Sequence, residues 1–406
     1  MSRFRAVLRA SAAVTVATVV VNLVSYAVVA AGTRALGPER YGELAALLGL
    51  LVVGVVPGST VQVVVARRVA ADEPGGLGRA TVVLAAVVTA VGALAVPVLH
   101  LTLRISVGAL VLLALALPAL TLGGAPMGAT QGLRRFGGLA VTTMIIGIGR
   151  VGGMLAGLAV GGTAIAAMAG LVVGAWLGFV VAVVAIRGPA LGVLTASGRT
   201  REPLGEIGHA SVTLLALAAL MTADVLLAKR FLSPTDAGLY GAGAVVTKAA
   251  LWLPYAITMI ALPRLAVAAH RRATLRLSVL ALAGLGVVEV LGVLLLGDEL
   301  FPLAVGAEYS AVTGWLWLYA TEGALLAIAQ LVIMSRIAAT DRLVPALLWL
   351  ALAAEVGVVA TWHSSIGTIL SLATGVAALV AVLGLLLPTR ARKGGIVEMG
   401  LGSPVP

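Results

Sequence analysis

Six ionisable side chains stand inside apolar stretches long enough to cross a bilayer: Arg150, Asp224, Lys248, Glu289, Glu322 and Glu355. A charge at the bilayer centre costs roughly 2.5–3.5 kcal/mol even on a lenient insertion scale, so such residues face a cavity or a partner. Their types suggest two chemistries. Arg150 and Lys248 are natural partners for a phosphate, which accepts charge-assisted hydrogen bonds. Glu289, Glu322 and Glu355 can exchange a proton or hold a sodium ion, and Asp224 lies nearer the outer end of its stretch. Structural roles stand beside these. Lys248 can pair with Asp224 across a hairpin, Arg150 can pair with a glutamate, and the glutamates can be neutral, hydrogen-bonded helix contacts. Asn22, Ser25 and Tyr26 form a polar patch at helical spacing and are candidates to line a cavity and hydrogen-bond a polar substrate. Gln62 and Gln330 are further isolated polar groups. For each of these, hydrogen bonding between helices is the competing role.

The elements that must position these residues follow from composition. Of 406 residues 61% are hydrophobic and only 11% are charged, against about 25% charged in soluble domains. Mean hydropathy is +1.13. This excludes an ordinary soluble enzyme and a disordered chain, and implies an all-α polytopic membrane protein. The net charge of +11 reads as cytoplasmic loop charge rather than as a nucleic-acid surface. There is no cysteine, and the four histidines are far apart in sequence, so no metal site and no cofactor is expected.

A helix needs about 20 apolar residues to span the bilayer. Charge-free runs give twelve spans, at 11–33, 44–66, 80–102, 106–130, 138–160, 163–186, 209–228, 238–262, 277–297, 312–335, 343–362 and 364–387. With the N-terminus inside, 20 Lys and Arg fall on the inner side and 5 on the outer. That bias sets an N-in, C-in topology. At about 1.5 Å per residue, all the intramembrane charges except Asp224 lie near the midplane. The tail 389–406 reads as cytoplasmic and disordered.

The chain repeats itself. Arg34, Leu36, Pro38 and Gly42 follow span 1; Arg230, Leu232, Pro234 and Gly238 follow span 7, each 196 residues on. Six spans per repeat is even, so the halves run parallel, about an axis along the membrane normal. This divides the chain into six-helix lobes at 1–190 and 191–388. Transporters place substrate between such halves. Two glycine ladders at a spacing of four, Gly149–Gly153–Gly157–Gly161 and Gly170–Gly174–Gly178, mark close helix packing. Gly147, Gly149 and Gly152 match a dinucleotide fingerprint formally, but they lie in an apolar span and follow no strand.

The segment Asp224-Val-Leu-Leu-Ala-Lys229-Arg-Phe-Leu-Ser-Pro234-Thr-Asp-Ala-Gly238-Leu-Tyr240-Gly, with Lys248, Pro254 and Leu262-Pro263-Arg264 beyond it, resembles the seventh-to-eighth helix signature of Wzx-type polysaccharide biosynthesis flippases. Leu36-Gly-Pro38-Glu-Arg-Tyr41-Gly42 is similar to the first loop of that group. The resemblance covers about 50 residues by motif and the whole chain by helix plan. It implies alternating access that carries a polyprenyl-pyrophosphate-linked oligosaccharide to the outer leaflet of a bacterial plasma membrane. Membrane lipids, H+ or Na+ and a polysaccharide polymerase would be its partners. A multidrug or cation antiporter of the same superfamily is the alternative, favoured by the second-half glutamates. A membrane-embedded glycosyltransferase or polymerase is a third; it would want a catalytic set in an aqueous loop, and 187–208 offers only Glu202 and Glu206.

Overall fold

The computed structural model describes residues 2–387 apart from 187, 253, 255–256, 259–260, 262–267, 339–340 and 342. The tail at 389–406 and most of 253–262, the expected end of span 8, lie outside the described residues. All elements among the described residues are helical. A bilayer offers backbone groups no water, and helices satisfy them internally.

Helix α1 (Ser2–Gly54) is two arms joined at Gly37, whose φ of 66° and ψ of 170° break the helix. Gly32 packs against Tyr41 and Leu44, which a straight helix would hold roughly 14–18 Å away, so the chain turns back there. The second arm continues as α2 (Val56–Ala70), and together they form the second crossing. Then follow α3 (Leu77–Leu103), α4 (Val107–Gly132), α5 (Phe136–Gly161) and α6 (Ala164–Ala185). The 187–208 loop contains a short helix, α7 (Pro189–Thr195), and α8 (Arg201–Phe231) starts a full two turns before the expected span. The second half continues with α9 (Pro234–Trp252) and α10 (Ala268–Val305). A 3-10 turn (Ala307–Trp315) leads into α11 (Leu316–Ala338), then α12 (Leu343–Thr361) and α13 (Ile366–Leu386). Hydroxyl caps start several of them: Thr163 accepts from Ala166 N–H and Ser365 from Thr368 N–H.

Ten stretches among the described residues are long and apolar enough to cross a membrane. One, Ala13–Ala70, turns at Gly37 and supplies two crossings. With the 19-residue α9 the plan comes to the expected twelve, in a multi-pass membrane protein.

Small residues set the packing. An alanine Cβ at Gly153 would run into the Gly170 carbonyl, and one at Gly174 into that of Gly149. The two predicted ladders therefore face one another across α5 and α6. A third ladder, Gly124, Gly128 and Gly132, lies on α4 against α2; its spacing of four is visible in the sequence.

The repeated loops meet each other. A Cβ on Gly42 would lie 3.0 Å from the Gly238 nitrogen. These are equivalent positions of the two repeats, and equivalent positions touch only where the pseudo-twofold axis passes. Close by, Arg34 Nη2 donates to the Leu303 carbonyl at 2.6 Å and the Tyr309 hydroxyl to the Thr33 carbonyl at 3.1 Å. The outer end is thus closed by contacts between halves.

Arg336, counted among the inner loop charges, is instead buried. Its side chain is 4% exposed and pairs at 2.8 Å with Asp341, which is 0% exposed. Nη1 also donates to the Gly384 and Leu387 carbonyls at the end of α13. Removing one member of a buried pair strands the other, at about 3–5 kcal/mol. Arg336→Ala should therefore lower the thermal unfolding temperature in detergent sharply. Arg336→Met with Asp341→Leu should recover most of the loss; a single variant as stable as the parent would contradict this role.

Candidate functional site

The intramembrane charges fall into three places. The first is α5. Gly147 there lies against Val21 of α1, and Arg150 follows one turn towards the outer side, next to the face that α1 covers. Arg150 is partly buried; its Nε has no hydrogen-bond partner, and no acidic group lies within 4.0 Å. The proposed pairing of Arg150 with a glutamate is therefore absent among the described residues. Asn22 and Tyr26 are partly buried on the same stretch of α1, and Ser25 bonds back to the Val21 carbonyl at 2.8 Å. Gln62 donates to Gln131 at 2.9 Å, an interhelical bond between α2 and α4.

The second place is the interior of the second half. Asp224 on α8, Glu322 on α11 and Glu355 on α12 are 4%, 3% and 2% exposed. Each acts electrostatically on at least one of the others. The Tyr240 hydroxyl donates to Asp224 at 3.0 Å. Thr247 donates to Glu322 at 3.1 Å and to the Tyr319 carbonyl at 3.0 Å. Tyr319 in turn donates to the Tyr240 carbonyl at 3.2 Å, with the rings edge to face at 5.4 Å. Glu355 Oε1 has no partner. Lys248 is within electrostatic reach of Asp224 but forms no ion pair with it inside 4.0 Å. Three carboxyls, with one ammonium within reach of Asp224 alone, leave up to two charges to be balanced. In a low-dielectric interior, protons or a bound cation must balance them.

The third place holds Glu289 alone. It lines an apolar cavity of about 410 Å³ between α9, α10 and α11, and neither of its carboxylate oxygens has a partner. A second apolar cavity, of about 330 Å³, lies between α1–α2, α3 and α4. The two are repeat equivalents. Leu50, Val53 and Gly54 line one, and Val246, Ala249 and Ala250, each 196 residues on, line the other. Gly92, Ala95 and Val96 of the first answer in spacing to Glu289, Gly292 and Val293 of the second. The lining Leu296 and Leu300 are more than half exposed on the outer surface. Glu289 therefore stands apart from the Asp224, Glu322 and Glu355 group, in this cavity.

Arg150 and Lys248 stand in opposite halves on α5 and α9, and α1 packs on both helices. Two parallel six-crossing halves, touching at equivalent loops, with charged groups held near the middle of each, form a known arrangement. The chain matches an inward-facing multidrug resistance MATE family transporter of the MOP superfamily with a TM-score of 0.69, over 90% of this chain and 92% of that one, at 13% identity. It matches the lipid II flippase MurJ in an inward closed conformation with a TM-score of 0.70, over 92% and 86%, at 11% identity. The eukaryotic MATE transporter AtDTX14 aligns at 0.61 over 93% and 94%, with 12% identity. The fold is that of MATE and MurJ transporters. No family model matches the sequence, and no curated protein matches it. At these identities the likeness carries the fold and the helix plan, and the residues must carry the rest.

Proposed function

We propose that the chain is a flippase that moves polyprenyl-pyrophosphate-linked oligosaccharide to the outer leaflet of a bacterial plasma membrane by alternating access of lobes 1–190 and 191–388. The observation that carries this is Arg150, an intramembrane guanidinium with no acidic partner among the described residues, with a second intramembrane cation, Lys248, in the other half. A guanidinium keeps its charge at any physiological pH and seeks water or an anion. A diphosphate crossing at that depth needs such compensation. In this reading Asn22 and Tyr26 bind the sugar. Leaflet-resolved labelling of lipid-linked sugar in a deletion strain tests the reading: sugar should accumulate on the inner leaflet, and normal outer-leaflet labelling would refute it.

Asp224, Glu322 and Glu355 are the coupling group in this reading, exchanging H+ or Na+ as the lobes rock. Glu322→Gln or Glu355→Gln should lower transport several-fold and alter its dependence on pH or sodium. Glu289→Gln, in its separate cavity, should not alter that dependence. Wild-type transport from both Glu322→Gln and Glu355→Gln across pH 6–8, with and without sodium, would make the carboxyls structural. The same acidic cluster favours a second reading, a cation antiporter, in which an organic cation takes the place of the anion.

A further inference from the structure

The two ends of the molecule are sealed by different physics. Towards the outside, one apolar cluster runs unbroken across both halves, from Val28, Leu44 and Leu110 to Tyr240, Tyr309 and Ile369. Towards the cytoplasm the core divides. One part gathers Val61, Val65 and Ala129 of the first half; the other gathers Leu217, Ile333 and Leu348 of the second. The first turns of α8 bridge this split. Ile207, fully buried, inserts into the first-half cluster.

A polar clasp holds those turns in place. Arg68, at the end of α2, donates from Nε at 3.1 Å and Nη2 at 3.0 Å to the two oxygens of Glu206. Arg67 pairs with the same carboxylate, and Glu202 lies 3.7 Å from Arg68. Beneath the clasp, Gly76 N–H donates to the Ala196 carbonyl at 3.1 Å. Arg67 is 64% exposed and Glu206 35%, whereas Arg68 is only 11% exposed. The seat is thus rigid on one side and open to water on the other.

We propose that Arg67 and Arg68 form a docking site for a phosphate-bearing lipid headgroup arriving from the cytoplasmic leaflet, and that the Glu206 carboxylate occupies this site while the protein is closed. Two guanidiniums share one well-placed carboxylate, and the fork that grips a carboxylate in two places grips a phosphate equally well. A diphosphate brings more charge and more acceptor oxygens than Glu206. Its arrival displaces Glu206 and releases the start of α8 from α2, which loosens the cytoplasmic end around Ile207. Substrate binding thereby opens its own path to Arg150. The proposal rests on the reading of the substrate as a phosphorylated lipid.

The chain has no cysteine, so spin labels at Ala71→Cys and His209→Cys on the full-length protein report the clasp directly. In phosphatidylcholine nanodiscs, farnesyl pyrophosphate should lengthen the distance between labels. Its affinity should fall at least about tenfold in Arg68→Ala and rise at least about tenfold in Glu206→Gln. Glu206→Gln should show the longer distance without ligand, and Glu206→Asp, which keeps the charge, should stay near the parent on both measures. Inorganic pyrophosphate should bind more weakly than the farnesyl compound; equal binding would make this a free-phosphate site and overturn the lipid assignment. Unchanged affinity in both Arg68→Ala and Glu206→Gln would overturn the site itself. The two levels separate cleanly. If farnesyl pyrophosphate opens the clasp but no lipid-linked sugar is flipped, the transport reading fails and the docking site stands. If Arg68→Ala flips sugar at the parent rate with unchanged affinity, the docking site fails and the transport reading stands.

Discussion

Arg150→Ala and Lys248→Ala should each nearly abolish flipping at unchanged expression. Truncating one partner of a buried charged contact costs about 2–5 kcal/mol, which is a fall of roughly thirty-fold or more. Arg150→Lys should keep more activity than Arg150→Ala, because a point charge replaces part of the guanidinium's work and only the bidentate geometry is lost. Lys248 has a competing role as a partner of Asp224. Asp224 accepts its hydrogen bond from Tyr240, and no ion pair with Lys248 forms within 4.0 Å. The double variant Lys248→Ala with Asp224→Ala should therefore not regain what Lys248→Ala loses. Full recovery would move Lys248 from the substrate path to the scaffold.

Gly238→Ala should disable the protein by another route. The added Cβ would collide with the Pro38 carbonyl, a backbone atom of the other half. Overpacking usually costs about 1–3 kcal/mol, and backbone on both sides leaves no side chain to yield. Thermal unfolding should move down, and cysteines placed beside Tyr309 should become more reactive from the outside as the seal loosens. Gly284→Ala is the control: its Cβ meets nothing within 4 Å, and alanine favours a helix interior over glycine by up to about 1 kcal/mol. Equal stability of the two variants would contradict the axial contact.

The fate of these residues shows how far the sequence could be read. Helix number and the parallel repeat were legible, because they depend on run length and on spacing. The contact of Gly42 with Gly238 was foreshadowed by their shared motif. Direction around a helix was harder. Glu289, Glu322 and Glu355 share an expected depth, yet only the last two join Asp224, because helix rotation is set by neighbours such as Thr247 and Tyr319. Pairings between distant loops were hidden altogether. Arg68 and Glu206 are 138 residues apart in sequence, and both look like ordinary loop charges. Arg336 likewise gives no sign that it is buried against Asp341.

The proposed flippase carries an anionic lipid-linked sugar past Arg150 and Lys248. The direct test is reconstitution of the full chain into liposomes with a fluorescent polyprenyl-pyrophosphate oligosaccharide, scored by a quencher or enzyme confined to one leaflet. The parent protein should move the labelled lipid between leaflets, Arg150→Ala should not, and an organic cation dye should be neither transported nor an effective competitor. Transport of the dye with no movement of the sugar lipid would contradict the anionic-substrate reading and assign the transport path to cations.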